Sequence, residues 1–227
     1  MPDRSSVKAQ DSSTTIAQQP PSPSVEINPQ IIENSPVLQR WLKEVPDVLF
    51  EIENDPSFRT RFRLGYSQFP STNQISGVNV GVEDLFIAQT GFTISADYQT
   101  SFTPRSVTGG NDRVNWGAGL QYYLRPLGSY INVAPVIGYR RIETSLYTSE
   151  GLNVGAKLFL VLSRGGGADL AITQTWLAPG TGNEVGMTTL SAGYALTYNL
   201  RLSTDIQFQN SRQRQDSRVG IVLEWMP

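Results

Sequence analysis

From Phe58 to Trp225 the chain alternates apolar and polar residues with a period of two, in about ten separate runs. The first run sets Phe58, Thr60, Phe62, Leu64 and Tyr66 against Arg59, Arg61, Arg63, Gly65 and Ser67. Successive strand side chains point to opposite faces, so the aromatics share one surface and three arginines the other. The same alternation returns in Phe92, Ile94, Ala96 and Tyr98, then in Val114, Trp116, Ala118, Leu120, Tyr122 and Leu124. Later it appears in Leu152 to Leu162, Leu190 to Tyr198, Leu202 to Phe208 and Val219 to Trp225. These runs predict strands over 58–69, 75–84, 90–102, 112–126, 130–142, 151–163, 168–177, 185–198, 201–210 and 217–226.

Strand length selects the solvent. Soluble strands average about 5 or 6 residues, whereas a tilted membrane strand needs about 9 to 11, and most of the predicted strands reach the longer range. No stretch approaches 18 consecutive apolar residues. That removes a transmembrane helix but not a barrel, whose lipid face takes only every second residue. The apolar parity carries rings near strand tips, at Tyr66, Tyr98, Trp116, Tyr122, Trp176, Tyr194, Tyr198, Phe208 and Trp225. Such rings suit a lipid–water interface. The expected fold class is therefore all-β: a transmembrane up-and-down antiparallel β-barrel of about ten strands over residues 56–227.

Taken alternately, the connections form two sets. Segments 70–74, 103–111, 143–150, 178–184 and 211–216 are mostly longer and polar; 126–128, 164–167 and 199–200 are tight. Outer-membrane barrels have long external loops and short periplasmic turns, so both termini are expected in the periplasm. Segment 83–89, the remaining turn on that side, is not short.

Ahead of the barrel, residues 1–34 are rich in Ser, Pro and Gln and predict a disordered periplasmic tail. Val7-Lys8-Ala9 before Gln10 would serve as the end of a signal whose apolar part lies upstream; the rival is an intact chain routed to a plastid outer envelope. Over 35–55, Val37, Leu38, Trp41, Leu42, Val45, Val48, Leu49 and Ile52 recur at helical spacing, with Pro46 placed to kink the helix. This amphipathic segment reads as a connector at the barrel base, or as a plug.

Several features together resemble the bacterial outer-membrane β-barrel superfamily, chiefly its small members of eight to twelve strands. They are the alternating strands, the turn Tyr198-Asn199-Leu200-Arg201-Leu202, and the ending Val219-Gly220-Ile221-Val222-Leu223-Glu224-Trp225. The resemblance implies outer-membrane lipids as surroundings and the barrel-assembly machinery as a partner in biogenesis, although Met226-Pro227 follow where that family normally stops at the aromatic residue. The sequence leaves the oligomeric state open, a monomer included.

Composition narrows the chemistry. The chain has no histidine, no cysteine and a formal charge of -2. The charge balance carries no nucleic-acid footprint. Acyltransferases, deacylases, phospholipases and omptin-type proteases on the architecture it resembles use a histidine as acid or base, so a noncatalytic protein is expected, without metal or cofactor. Gly165-Gly166-Gly167 and Gly180-Thr181-Gly182 lack the Lys-Ser/Thr of a phosphate-binding loop and read as turns.

The suggestive constellation is internal. Parity turns Arg59, Arg61, Arg63, Arg125, Arg140, Lys157 and Arg218 inward, together with Glu83, Asp97, Asp169, Asp205 and Glu224. Glu83 and Glu224 are expected to flank the arginine ladder of the first strand. Such a lumen is either filled by a paired network or a narrow, slightly basic path for small anionic or polar solutes. The expected function is a noncatalytic outer-membrane barrel, structural or narrowly conducting. Alternatives are an envelope protein that binds a partner through its loops, tail or helix, and a soluble barrel carrying a ligand.

Overall fold

The computed structural model describes residues 34–37, 39, 55–71, 75–88, 90–102, 113–144, 147–212 and 215–227. All but the last residue of the expected tail (1–34) and most of the expected helix (35–55) lie outside the described residues. In the part that is described, the Gln39 N–H donates to the Ser35 carbonyl at 3.0 Å, one helical turn.

Ten antiparallel strands close into an up-and-down barrel: β1 (Arg61–Phe69), β2 (Ile75–Phe86), β3 (Phe92–Ser101), β4 (Val114–Tyr122), β5 (Ile131–Glu143), β6 (Thr148–Ser163), β7 (Ala168–Leu177), β8 (Val185–Ala195), β9 (Leu200–Ser211) and β10 (Gln215–Trp225). Each strand pairs with its neighbours in sequence, and β1 closes on β10 with Arg63 opposite Glu224. Alternation dictates the faces. On β6, Leu152, Leu158 and Leu162 are exposed outside while Asn153, Lys157, Phe159 and Val161 are buried.

Three local departures from strict alternation shape the interior. First, β1 begins at Arg61, so Phe58 does not join the outer face. Its ring turns inside, 5.3 Å from Phe86, 4.8 Å from Tyr123 and 4.9 Å from Phe159, in an apolar cluster with Leu127, Ala134, Val161 and Ala171. Ser57 anchors this entry by donating to the Leu127 carbonyl at 2.9 Å. Second, β2 carries a bulge between Val82 and Leu85. The extra residue lets Glu83 and Asp84 both face inward, and Asp84 takes a φ of 56°, a region that Asp tolerates better than most residues. Third, β4 stops at Tyr122 rather than running to 126. Asn132 captures the Arg125 N–H at 3.0 Å and the Arg125 carbonyl at 2.9 Å, turning the chain there, and Tyr123 points inside.

Met226, beyond the terminal aromatic, is also structural. It is buried, its N–H donates to the Asn199 carbonyl at 2.8 Å, and Asn199 Nδ2 donates to the Met226 carbonyl at 2.7 Å.

The connections do not sort as cleanly as expected. β5 and β6 run on to Glu143 and Thr148, so the loop expected over 143–150 shrinks to 144–147, closed by the Thr144 N–H on the Tyr147 carbonyl at 2.9 Å. Meanwhile 123–130, on the terminal side, is longer than that loop. Connection length therefore does not orient this barrel.

Phe58→Ala should cost about 3–5 kcal/mol, the usual range for deleting a buried aromatic ring. The urea midpoint of the refolded barrel measures it, and an unchanged midpoint would mean that the base cluster does not hold the fold.

Candidate functional site

Outward parity leaves the wall facing in, and charge fills it. Among the described residues, Arg61, Arg63, Arg113, Arg140, Lys157, Arg201 and Arg218 face the lumen as cations. Glu83, Asp84, Asp97, Asp169, Asp205, Asp216 and Glu224 face them. The two sets are equal in number, so the excess of base expected from parity disappears.

The lower part of the network centres on Asp84, which is fully buried. It accepts from Arg61 Nη2 at 2.7 Å, Lys157 Nζ at 3.1 Å and the Tyr123 hydroxyl at 2.7 Å. Lys157 also donates to Glu83 at 2.8 Å. Arg61 reaches on to Asp169 at 3.3 Å, and Arg201 clasps Asp169 with both terminal nitrogens at 2.5 Å. A two-pronged guanidinium–carboxylate contact fixes direction as well as distance.

One register row higher, successive partners cross eight of the ten strands: Arg201, Glu224 and Arg63 are all charged, and from Arg63 on charge alternates with glycine through Gly81, Asp97, Gly117, Arg140 and Gly151. Arg63 pairs with Glu224 and Glu83 at 3.0 Å each and with Asp205 at 2.8 Å. Arg140 reaches over the intervening strand to Asp97, with one contact at 2.9 Å. Glycine makes that reach possible, since a Cβ on Gly117 would lie 2.9 Å from the Arg140 guanidinium carbon. Gly193 does the same beneath Arg201, where a Cβ would lie only 1.9 Å from Nη2.

The structure thus brings together ten of the charged residues singled out by parity: Arg61, Arg63, Glu83, Asp97, Arg140, Lys157, Asp169, Asp205, Arg218 and Glu224. Two stand elsewhere. Arg59 precedes β1 and stacks on Tyr198, 3.9 Å from the ring centroid, and Arg125 is exposed in the turn after β4. The ladder is also held by more than Glu83 and Glu224, because Asp84, Asp169 and Asp205 take a large share. Asp84, Arg113, Arg201 and Asp216 were missed. For Asp84 a signal existed: Val78, Val80 and Val82 continue as Leu85 and Ile87, a change of parity that marks the bulge.

Within the lumen lies a chamber of about 160 Å³, lined by charged members of the network, Arg63, Glu83, Asp97, Arg140 and Lys157 among them, together with uncharged polar residues such as Gln99 and Asn153. Below the charged rows, the Phe58 cluster closes the terminal end with apolar rings. Outside, all nine interface aromatics expected from the sequence are exposed. They form two belts: Tyr66, Tyr98, Trp116, Trp176 and Phe208 toward the loop ends of their strands, Tyr122, Tyr194, Tyr198 and Trp225 toward the terminal end. Cross-strand partners reinforce both belts, with Trp116 5.7 Å from Tyr139 and Trp225 5.5 Å from Phe62.

Lys157 Nζ is committed to Glu83 and Asp84 and bonds no serine among the described residues. Nor does any group of three or more His, Cys, Asp or Glu among the described residues have a geometry that could hold a metal ion.

No protein-family model and no curated protein matches the chain. Its structural neighbours are bacterial outer-membrane β-barrels. Outer membrane phospholipase A from Escherichia coli matches at TM-score 0.39 and 12% identity, over 74% of this chain and 92% of that one. The calcium-bound dimer of the same phospholipase from Salmonella typhi gives 0.38 and 11%, over 74% and 90%. Neisserial surface protein A gives 0.35 and 10%, over 74% and 96%. Likeness at this level transfers no residue role.

Removing one partner of a buried ion pair leaves a stranded charge. Asp84→Asn should therefore cost about 3–5 kcal/mol. Asp97 is 36% exposed along its side chain, and Asp97→Asn should cost only about 0–1 kcal/mol. Urea unfolding of the two variants measures the contrast, and equal losses would show that burial does not grade this network.

Proposed function

We propose that this chain is a noncatalytic β-barrel of a bacterial outer membrane, built as a filled and sealed cylinder whose role is structural. The observation that carries the reading is the pairing of a continuous apolar exterior with an interior in which cations and carboxylates are matched and in contact. On β6 the outward residues from Leu152 to Leu162 are apolar at every second position. Ten residues at about 3.3 Å each, tilted as membrane strands are, give a band about 25 Å tall. That is the hydrocarbon thickness such barrels span. The two aromatic belts sit toward its edges.

Lipids of the outer membrane are then the surroundings of the exposed face. The terminal aromatic strand, with Trp225 outermost on the lipid side, supports delivery by barrel-assembly machinery and a periplasmic position for both termini. The absence of histidine from the sequence supports a noncatalytic role, since it leaves out the acid–base group used by the enzymes this architecture resembles.

A narrow passive channel is the second reading, favoured by the chamber of about 160 Å³ within the lumen. Conduction through it requires the Phe58, Phe86, Tyr123 and Phe159 rings to part, because they close the terminal end. Barrels of about eight strands are filled by their own side chains, and ten strands lie near that limit. With cations and carboxylates equal in number along the wall, such a path would favour neither sign of ion.

The reading is tested by heat-modifiable gel mobility of membrane-extracted protein, expected to be present, and by planar-bilayer recording, expected to show no steady conductance. A stable open pore with ion selectivity would replace the sealed barrel by the channel. Depth provides a further test. Leu158→Arg, at mid-strand, should cost about 2–4 kcal/mol on folding into lipid, against about 0–1 for Leu162→Arg at the strand tip. Equal and negligible costs at both positions would rule out a bilayer around this face.

A further inference from the structure

The wall as a whole balances its charges, but the chamber within it does not. Four cations line its volume of about 160 Å³, Arg63, Arg140, Lys157 and Arg218, against three carboxylates, Glu83, Asp97 and Asp205. Three of the cations are fully engaged. Arg63 holds Asp205 at 2.8 Å and Glu83 at 3.0 Å, Arg140 holds Asp97 at 2.9 Å, and Lys157 holds Glu83 at 2.8 Å. Those contacts already use every carboxylate of the chamber, and Asp205 accepts from the Ser191 hydroxyl as well, at 2.8 Å.

Arg218 is the cation left over. Its Nη2 lies 3.6 Å from Asp205, beyond hydrogen-bond reach, and its Nη1 reaches only the Ser67 hydroxyl, at 3.5 Å. Nε has no acceptor. Every other lumen-facing cation among the described residues donates to an oxygen at 3.0 Å or less. Yet the Arg218 side chain is only 4% exposed. A buried guanidinium that bonds so poorly has lost its hydration without compensation. Since it lines the chamber, a partner small enough to fit there can supply what the wall does not.

Charge and size set the class of that partner. One cation stands in excess, so one negative charge balances the chamber. A divalent anion would overshoot that balance and face Asp97 and Asp205 besides. A cation would meet Arg218 with like charge and find no free carboxylate. As for size, a cavity of about 150 Å³ admits a molecule like benzene, which leaves room for a halide or a small oxyanion and excludes a bulky organic anion.

We infer that the chamber is a site for one small monovalent anion, of the size of chloride or nitrate, bound to the guanidinium of Arg218. The inference goes beyond the structural barrel proposed above, because it gives the lumen a resident counter-ion and requires no conduction.

Chloride is the probe, and gluconate, too large for the chamber, is the reference anion. The barrel in nonionic detergent is unfolded by urea in mixtures of potassium chloride and potassium gluconate at fixed ionic strength. An anion that binds only the folded state raises the folding equilibrium constant by the factor 1 + [Cl⁻]/Kd, so stability should climb along that curve as chloride replaces gluconate. Arg218→Gln strands no carboxylate and should fold, with chloride binding weaker by about tenfold or more, as expected for a lost charge-assisted hydrogen bond. Asp97→Asn should act in the opposite direction, since taking one carboxylate from the chamber tightens chloride binding. No chloride dependence in the native barrel, or the same dependence in Arg218→Gln, would overturn the site. Failure of Arg218→Gln to fold would overturn it too, because the wall would then depend on that cation. So would binding no tighter in Asp97→Asn. If sulfate gave the same Arg218-dependent gain, the monovalent assignment would fall. None of these readouts involves conductance, so a leaky barrel and an empty site give different records.

Discussion

Every charge inside this barrel must meet an opposite charge within the wall, and that demand organises the rest. Lumen-facing arginines cannot be left bare in a cylinder closed at one end by aromatic rings. Breaking a buried pair is costly because it strands the remaining ion. The bulge in β2 answers that demand at its most crowded point. By inserting one residue it delivers two carboxylates, Glu83 and Asp84, to Arg61, Arg63 and Lys157, where strict alternation would deliver one. The glycines answer it elsewhere, giving long side chains a floor low enough to lie across a neighbouring strand.

The gradation along the barrel axis follows from the same balance. At the terminal end, rings exclude water and the adjoining Asp84 cluster is the most buried part of the network. Toward the loop end Asp97 is partly exposed, the Arg113–Asp216 pair is buried, and Ile142, Leu177, Val185 and Met187 form a second apolar cluster. The lumen is thus ionic through its middle, with an apolar cluster toward each end.

Much of this was legible in the sequence because a barrel wall is written with a period of two. Ten strands, their outer faces and both aromatic belts follow from alternation, and inward parity found ten members of the network. What stayed hidden was whatever interrupts the period or depends on partners. Phe58 kept the parity of β1 in sequence yet lies before the strand, where the chain turns inside. Arg125 looked inward only because β4 was extended past the turn that Asn132 enforces. Asp84 was concealed by a bulge that Leu85 and Ile87 announced through their shifted phase. Arg201 had the right parity, but its importance emerges only from the register that lays it over Gly193 toward Asp169. A single chain shows faces; register shows neighbours.

The alternation of charge and glycine along one row has a consequence for how the cylinder is assembled. Arg140 skips β4 to reach Asp97 and Arg201 skips β8 to reach Asp169, so each of these pairs tests two adjacent registers at once. A slip of two residues between β1 and β10 keeps every apolar side chain outside and would be invisible to the hydrophobic face. It would, however, set Arg63 opposite Val222 or Met226 in place of Glu224. The ionic row therefore acts as a vernier: the lipid face chooses which way each strand looks, and the charges choose how far along its neighbour it comes to rest.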